Sequence, residues 1–364
     1  MSTTSRIPVS ARLGFLDRWL PAWIVAAMAL GILLGRFIPA FGRLLDSWSI
    51  GGISVPIGIG LLVMMYPPLA KVRYDKTAEI AADRRLMTLT VALNWLLGPA
   101  LMFVLAWTLL PDFPEYRTGL VIIGLARCIA MVLIWNDLAC GDREAAAVLV
   151  AINSVFQVIM FSALGWFYLQ ILPSWLGLET TTAGFSFTAI LISVLVFLGV
   201  PLLAGFLSRV IGEQARSREW YEARFLPVIS PLALGGLLYT IVVLFSLQGK
   251  QLTADPWAVI RIAIPLTLYF LIMFALAISL SRACGFGYAT STTIAFTAAG
   301  NNFELAIAVA IGTFGAMSGQ ALAGTIGPLI EVPVLLALVY LIMWWGPHFF
   351  PEDPTLPSTA STTQ

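Results

Sequence analysis

The chain has 364 residues, of which 59% are hydrophobic and only 11% are charged, and its mean hydropathy is +0.92. A soluble domain carries roughly 25% charged residues, so the composition excludes a water-soluble globular protein and predicts a multi-pass membrane protein. The formal net charge of +1, without a basic run interleaved with aromatic residues, argues against nucleic acid as a partner. The 3 cysteines show no CxxC or Cys/His spacing, which argues against a disulfide framework or a structural zinc site.

Apolar stretches of about 20 residues, the length that crosses a bilayer, recur from one end of the chain to the other. Residues 1–18 are polar and basic, like the start of a signal peptide, but no cleavage site follows, so we predict a cytoplasmic segment and a retained first helix. Residues 348–364, rich in Pro, Ser and Thr, are predicted to form a disordered cytoplasmic tail. The predicted spans are 19–38, 53–69, 86–110, 119–138, 145–172, 185–207, 225–247, 257–280, 288–314 and 321–345.

The distribution of basic residues predicts the orientation of these spans. Lys and Arg accumulate in cytoplasmic loops, and most of the 20 basic residues fall on the cytoplasmic side when the amino terminus is placed inside. Both termini are therefore predicted to be cytoplasmic, in a protein of the cell membrane. Cys140 and Cys284, near predicted cytoplasmic ends, and His348, beyond the last predicted span, are assigned no role.

Ten spans divide into two sets of five, at 19–172 and 185–347. An odd number of spans in each half forces the halves into opposite orientations, which is the plan of an inverted repeat in secondary transporters. The fourth and ninth spans are interrupted by polar residues and occupy equivalent places in their halves. We therefore predict an all-α membrane protein of ten helices with an inverted five-helix repeat.

The fourth span sets Arg127, Cys128, Asn136 and Asp137 into an apolar run. Strongly polar groups are costly at membrane depth and indicate a functional site by default. An arginine beside a thiol favours the thiolate, the form that binds soft metals and metalloids. The alternatives are that Cys128 is a packed hydrophobe and that Arg127 is a structural cation paired with Asp137 or with a backbone carbonyl.

The ninth span carries Gly300, Asn301, Asn302 and Glu304. Glycine permits the backbone to leave helical geometry, so uncovered amides and carbonyls are expected there. Asn301 and Glu304 are three residues apart and are predicted to share a helix face. Because burial raises the pKa of a carboxyl, Glu304 is a candidate proton carrier. The alternative is a static ion pair between Glu304 and Arg127.

Four further polar residues are weaker candidates. Glu331, between two prolines of the last span, is a second proton-site candidate. Asn153 and Gln157 are four residues apart and could face the same cavity, although hydrogen bonding between helices explains them equally well. Asn94 lies beside Trp95 at a predicted kink, where packing is the favoured role.

Four segments resemble the signatures of the arsenite efflux permeases of the arsenical-resistance type, in the bile acid, arsenite and riboflavin transporter superfamily. They are GLARCIAMVLIWNDLACGD (124–142), VAINSVFQ (150–157), AFTAAGNNFELAIAVAIGTFG (295–315) and GPLIEVPVLL (327–336). The resemblance implies broken, crossing fourth and ninth helices, as in bile acid sodium symporters, and export of arsenite in exchange for protons. It implies that Cys128 is the essential cysteine and Glu304 the ninth-helix carboxylate. Gly300, where some relatives carry a small polar residue, departs from the pattern.

The chemistry of arsenite agrees with this resemblance. Trivalent arsenic is thiophilic and circulates as an uncharged hydroxide, so one thiolate gives reversible capture, whereas three would form a trap. The chain lacks a GxxxxGK[ST] loop, so we expect no ATPase activity and no cofactor, and the proton motive force as the drive. Antimonite transport and a homo-oligomer stay open.

Three competing functions remain at this stage. The first is a sodium-coupled organic-anion symporter of the same fold. The second is an intramembrane enzyme that uses Asp137, Glu304 and Glu331, which no HExxH, paired-aspartate or Ser/His motif supports. The third is a non-transporting sensor, which would lack an output domain. We therefore predict a transporter rather than an enzyme.

Overall fold

A computed structural model describes residues 19–38, 48–50, 53–72, 83–129, 131–180, 187–254, 256–351 and 353. Within this part the chain is helical apart from one antiparallel pair of two-residue strands, β1 (Ser49–Ile50) and β2 (Ile53–Ser54). The predicted all-α class is confirmed. The predicted amino-terminal segment and most of the predicted tail lie outside the described residues.

Each predicted span coincides with one helix or with a pair of short helices. The pairs occupy the fourth and ninth spans, where the polar interruptions were predicted. In chain order the helices are α1 (Leu20–Phe37), α2 (Val55–Lys71), α3 (Arg84–Leu109), α4 (Pro114–Leu125), α5 (Met131–Leu138), α6 (Arg143–Trp175), α7 (Phe187–Ala215), α8 (from Arg218 to Ala254), α9 (Pro256–Ala283), α10 (Tyr288–Ala299), α11 (Phe303–Phe314) and α12 (Gly319–Phe349).

Among the described residues, 6 continuous helices are long and apolar enough to cross a membrane, namely α3, α6, α7, α8, α9 and α12. Large apolar side chains on their outer faces are more than half exposed, including Ile159, Leu203 and Trp344. An apolar exterior of this kind requires a nonpolar surrounding. The protein is therefore a multi-pass membrane protein.

Side-chain caps fix where several helices begin. Asp83 accepts hydrogen bonds from the first-turn amides of α3, and Asp142 does the same for α6. Ser318 caps α12 through the backbone N–H of Ala321 at 3.1 Å. These are the residue types that satisfy otherwise unpaired amides at a helix start. The last helix continues to Phe349, so His348, which lies beyond the last predicted span, is in the final turn of this helix.

Among the described residues, four helices contain one wide, π-helical turn, and each of these turns ends two residues before a proline. The turns are Leu93–Leu97, Phe167–Ile171, Leu195–Gly199 and Tyr221–Phe225, followed by Pro99, Pro173, Pro201 and Pro227. Proline has no backbone N–H and its ring crowds the preceding turn. The residue before each proline instead donates to the carbonyl five residues back, as Gly98 does to Leu93. The helix therefore continues through the proline.

The helices pack in two groups. In the first, α8 packs on α1 and α2, and α7 packs on α2. In the second, α12 packs on α4, α9 and α11, and α9 also packs on α3 and α10. The second group also includes α5, which packs on α6, α10 and α12, so it contains both pairs of short helices and positions the site described below.

Candidate functional site

The two interrupted spans meet at their breaks. After α4 the backbone becomes extended at Ala126, and after α10 it becomes extended at Gly300. Arg127 and Asn301 form an antiparallel bridge. The N–H of Asn302 donates to the carbonyl of Ala126 at 2.9 Å, and the N–H of Cys128 donates to the carbonyl of Gly300 at 3.3 Å. The structure therefore brings together the two stretches that the sequence singled out.

Cys128 lies at this crossing, three residues before α5 begins. Its thiol is buried, and its sulfur accepts the backbone N–H of Val132, in the first turn of α5, at 3.3 Å. First-turn amides carry the positive end of the helix dipole, so this position stabilises negative charge on sulfur. Gly300 lies directly against the cysteine, because a Cβ atom built there would be 3.0 Å from the Cys128 Cβ.

Arg127 is fully buried, and its guanidinium is held by oxygens rather than by an acid. Nη1 donates to the Tyr269 hydroxyl at 2.9 Å and to the Ala298 carbonyl at 3.4 Å, and Nη2 donates to the Gly124 carbonyl. Nε has no partner among the described residues. Of the alternatives for this arginine, the backbone-carbonyl partner is the one observed.

Neither predicted acidic partner of Arg127 is found. Asp137 instead binds Arg143 at 2.7 Å, and both side chains of that pair are well exposed. Within the described part of the chain, no carboxylate oxygen lies within 4.0 Å of the Arg127 guanidinium, Glu304 included. Asn136, the remaining polar residue of the span, accepts the Thr293 hydroxyl at 2.7 Å and ties α5 to α10.

The two candidate proton carriers lie on adjacent helices. Glu304 is half-buried in the first turn of α11. Glu331 is buried on α12 and accepts the backbone N–H of Asn301 at 3.3 Å. The two carboxyl groups interact electrostatically. Asn301 and Glu304 do not share a helix face, contrary to prediction, because α11 begins only at Phe303 and Asn301 lies in the extended break.

Asn302 and three supporting residues each have one side-chain atom paired and one unpaired. Asn302 caps α11 by accepting the Leu305 N–H at 3.0 Å, and Asn153 accepts the Trp95 indole N–H at 3.2 Å. Gln157 accepts the backbone N–H of Arg127. Backbone and indole N–H groups only donate hydrogen bonds, so the atom that each of them contacts must be the amide oxygen. The amide nitrogen is therefore the unpaired atom of each side chain.

These free ends are mostly donors. The amide nitrogens of Asn153, Gln157 and Asn302 have no partner among the described residues, and neither polar atom of the Asn301 side chain has one. Asn94 bonds the Thr90 carbonyl at 2.9 Å and keeps its amide oxygen unpaired within the same part of the chain. Buried polar groups are rarely left without partners, so these atoms are available to hydrogen-bond a ligand or water.

Two residues that contact Arg127 were not predicted from the sequence to belong to the site. Tyr269 bonds the Arg127 guanidinium, and its only signal in the sequence is a hydroxyl within the apolar run of α9. Gly98 lies close to the predicted kink at Asn94 and Trp95, and a Cβ atom there would lie 2.7 Å from the Arg127 Nη1, so glycine leaves room for the guanidinium. Cys140 is half-buried and Cys284 exposed, and neither lies at the crossing contacts described above.

Known proteins resemble this chain along nearly its whole length. The model of the sodium bile acid symporter family matches residues 58–255. The arsenical-resistance protein Acr3 of Corynebacterium glutamicum is 67% identical over 353 residues, which cover 97% of this chain and 95% of that protein. The Acr3 protein of Alkaliphilus metalliredigens is 32% identical, covering 93% and 95%. An uncharacterized transporter of Synechocystis is also 32% identical, covering 96% and 93%.

Proposed function

Since the chain belongs to the sodium bile acid symporter family, and within it to the arsenical-resistance proteins, we propose that it exports arsenite from the cytoplasm in exchange for protons. The observation that carries this proposal is the position of Cys128, a buried thiol at the crossing of two broken helices, with a first-turn amide directed at its sulfur. Antimonite, which is also thiophilic, is the second substrate that this site would take.

Capture of arsenite is a ligand exchange at arsenic. The sulfur of Cys128 forms a bond to As(OH)₃, one As–OH bond breaks, and the hydroxide leaves as water with the thiol proton. No electron is transferred, and the reverse reaction releases the cargo. The free amide groups of Asn301, Asn302, Asn153 and Gln157 are suited to hold the two remaining hydroxyl groups. A single sulfur keeps capture reversible.

Proton exchange is assigned to the carboxyl groups beside the crossing. Glu304 is half-buried in the first turn of α11, beside the crossing, and we assign proton exchange to it. Glu331 is the second proton-site candidate, since it interacts with Glu304. In this scheme a proton binds at the carboxyl groups when arsenite leaves Cys128, and the proton leaves when arsenite binds.

The architecture proposed for this mechanism is ten membrane helices in an inverted five-helix repeat, 19–172 and 185–347, with both termini cytoplasmic. The equivalent positions of the two broken spans support it. Ions and substrates of such transporters bind where half-helices meet near the bilayer midplane. Access to the site would switch when the two helix groups rock against each other.

The competing function in the same family is sodium-coupled uptake of an organic anion, which the family description favours. It predicts sodium dependence and indifference to Cys128. An enzymatic function on Asp137, Glu304 and Glu331 has less support, because Asp137 lies in an exposed ion pair. The named relatives are transport or resistance proteins.

Everted membrane vesicles test the proposal. Arsenite accumulation should follow an imposed proton gradient, persist in sodium-free medium, and fall to the level of empty vesicles with Cys128→Ser. Cys140→Ser and Cys284→Ser are matched controls that should transport as the unaltered protein does. Sodium-driven uptake of an organic anion, or full arsenite transport by Cys128→Ser, would overturn the assignment.

A further inference from the structure

The partners of the Arg127 guanidinium are oxygen atoms from three separate helices. The Gly124 carbonyl belongs to the last turn of α4, the Ala298 carbonyl to the last turn of α10, and the hydroxyl of Tyr269 to α9. Tyr269 also donates its hydroxyl proton toward the Ala298 carbonyl at 3.5 Å. The oxygens therefore form a connected set around the positive charge.

Both carbonyls lie at the carboxyl ends of short helices that stop at the crossing. Each helix carboxyl end carries the equivalent of about −0.5 elementary charge, so the two ends together offset roughly the one positive charge of an arginine. Within the described residues no carboxylate oxygen comes within 4.0 Å of this guanidinium. A buried charge needs compensation, and here the helix ends provide it.

A set of backbone carbonyls from broken helices is also the arrangement by which transporters coordinate sodium. Neutral carbonyl and hydroxyl oxygens are the ligands that hard cations prefer. We infer that the Arg127 guanidinium is a tethered cation, a covalently attached substitute for a bound sodium ion, and that its removal uncovers a sodium site formed by the Gly124 carbonyl, the Ala298 carbonyl and Tyr269.

The space around the guanidinium supports this reading. A Cβ atom at Gly98 would lie 2.7 Å from the Arg127 Nη1 and 3.1 Å from the Tyr269 hydroxyl, so the glycine keeps this volume open. The volume belongs to the surrounding helices and would remain after the arginine is truncated. The role of this tethered cation in transport rests on the proposed function. With a fixed cation in the site, the carrier would not need sodium, and protons would be the coupling ion.

Thermal unfolding of the purified full chain in detergent tests the inference, followed through the fluorescence of its 12 tryptophans. Arg127→Ala is melted in sodium chloride and in choline chloride at equal ionic strength. Sodium that binds only the folded state raises the melting temperature, and we expect a rise of about 2–4 °C for Arg127→Ala. The unaltered protein and Arg127→Lys, which keeps a tethered cation, should melt equally in both salts.

Two further variants make the test specific. Arg127→Ala combined with Tyr269→Phe removes one of the three oxygens and should lose most of the sodium effect. Arg117→Ala is the matched control, because Arg117 is also buried and bonded to a carbonyl, that of Pro111 at 2.8 Å, but it lies over the Trp107 ring outside the crossing. It should show no sodium effect.

The inference is overturned if Arg127→Ala melts at the same temperature in both salts. It also fails if the unaltered protein shows the same sodium effect as the variant. Failure to recover Arg127→Ala in sodium chloride, with Arg127→Lys recovered, equally contradicts it, because sodium must be able to replace the guanidinium. No arsenite is used, so these results stand independently of whether the vesicle assay supports arsenite export.

Discussion

The carboxylate of Glu331 accepts the backbone N–H of Asn301 at 3.3 Å, so a side chain of the continuous helix α12 is bonded to the break between α10 and α11. Glu304, in contrast, lies in the first turn of α11, after the break. The two acids are neighbours with different constraints. Glu331 is bonded to the backbone of the crossing, whereas Glu304 is half-buried at the start of α11.

The first prediction separates these two acids. Glu304→Gln should abolish arsenite uptake driven by a proton gradient in everted vesicles, because the proposed carrier is lost. Glu331→Gln should retain at least about a third of the rate, since a glutamine oxygen can still accept the Asn301 N–H, a bond of about 1 kcal/mol. The opposite pattern, with Glu304→Gln active and Glu331→Gln inactive, would assign the proton to Glu331.

The second prediction concerns the space beside the thiol. Gly300 has a backbone conformation that alanine also adopts, but its Cβ would lie 3.0 Å from the Cys128 Cβ and 3.2 Å from the Phe296 carbonyl. Gly300→Ala should therefore raise the arsenite concentration for half-maximal transport by about tenfold, equivalent to 1.4 kcal/mol, while the protein still folds.

Gly235→Ala is the matched control for Gly300→Ala. A Cβ at Gly235 would meet nothing within 4 Å, and the position is in the continuous helix α8. Its transport should equal that of the unaltered protein. An unchanged half-maximal concentration in Gly300→Ala would show that arsenite does not occupy the space between Gly300 and Cys128.

The third prediction concerns the support of the first break. The Gln157 side chain accepts the backbone N–H of Arg127, and both groups are buried. Gln157→Leu leaves that amide without a partner, which costs about 1–3 kcal/mol, so the melting temperature should fall by several degrees. Ile159→Ala, on the exposed face of the same helix, should change it little. Equal melting of both variants would mean that the amide finds another partner.

The fourth prediction concerns the exposed acid of the fourth span. Asp137 and Arg143 form an ion pair at 2.7 Å with side-chain exposures of 45% and 72%. Exposed pairs contribute about 0–1 kcal/mol, so Asp137→Asn should leave stability and arsenite transport nearly unchanged. Loss of transport by a correctly folded Asp137→Asn protein would bring this acid back into the mechanism.

The sequence was sufficient to locate both breaks. A cluster such as Arg127 and Cys128, or Gly300 to Asn302, is too costly in an apolar span to be accidental, and both clusters lie where helices stop. The prediction that Asn301 and Glu304 share a helix face was wrong. It assumed a continuous helix, but Asn301 is in the extended break. Periodicity holds only within one uninterrupted helix.

The distant partners of Arg127 could not be identified from sequence, although a backbone carbonyl was one of the alternatives. Tyr269 and the Ala298 carbonyl lie 142 and 171 residues further along the chain, and the third partner, the Gly124 carbonyl, is likewise a backbone atom that any residue would supply. The alternative partner, Asp137, is close in sequence but binds Arg143 instead. Contacts to main-chain oxygens depend on where helices end and are visible only in three dimensions.

The crossing is joined by main-chain hydrogen bonds between residues 126–128 and 300–302. Since these bonds use backbone atoms, every substitution at residues 126–128 and 300–302 except proline, which lacks the N–H, keeps the donors and acceptors that link the four short helices. A carrier of this design would move α4, α5, α10 and α11 as one rigid unit. Because these four helices also pack on α3, α9 and α12 of the same group, we expect cross-links from this group to α1, α2, α7 and α8 to arrest the transport cycle.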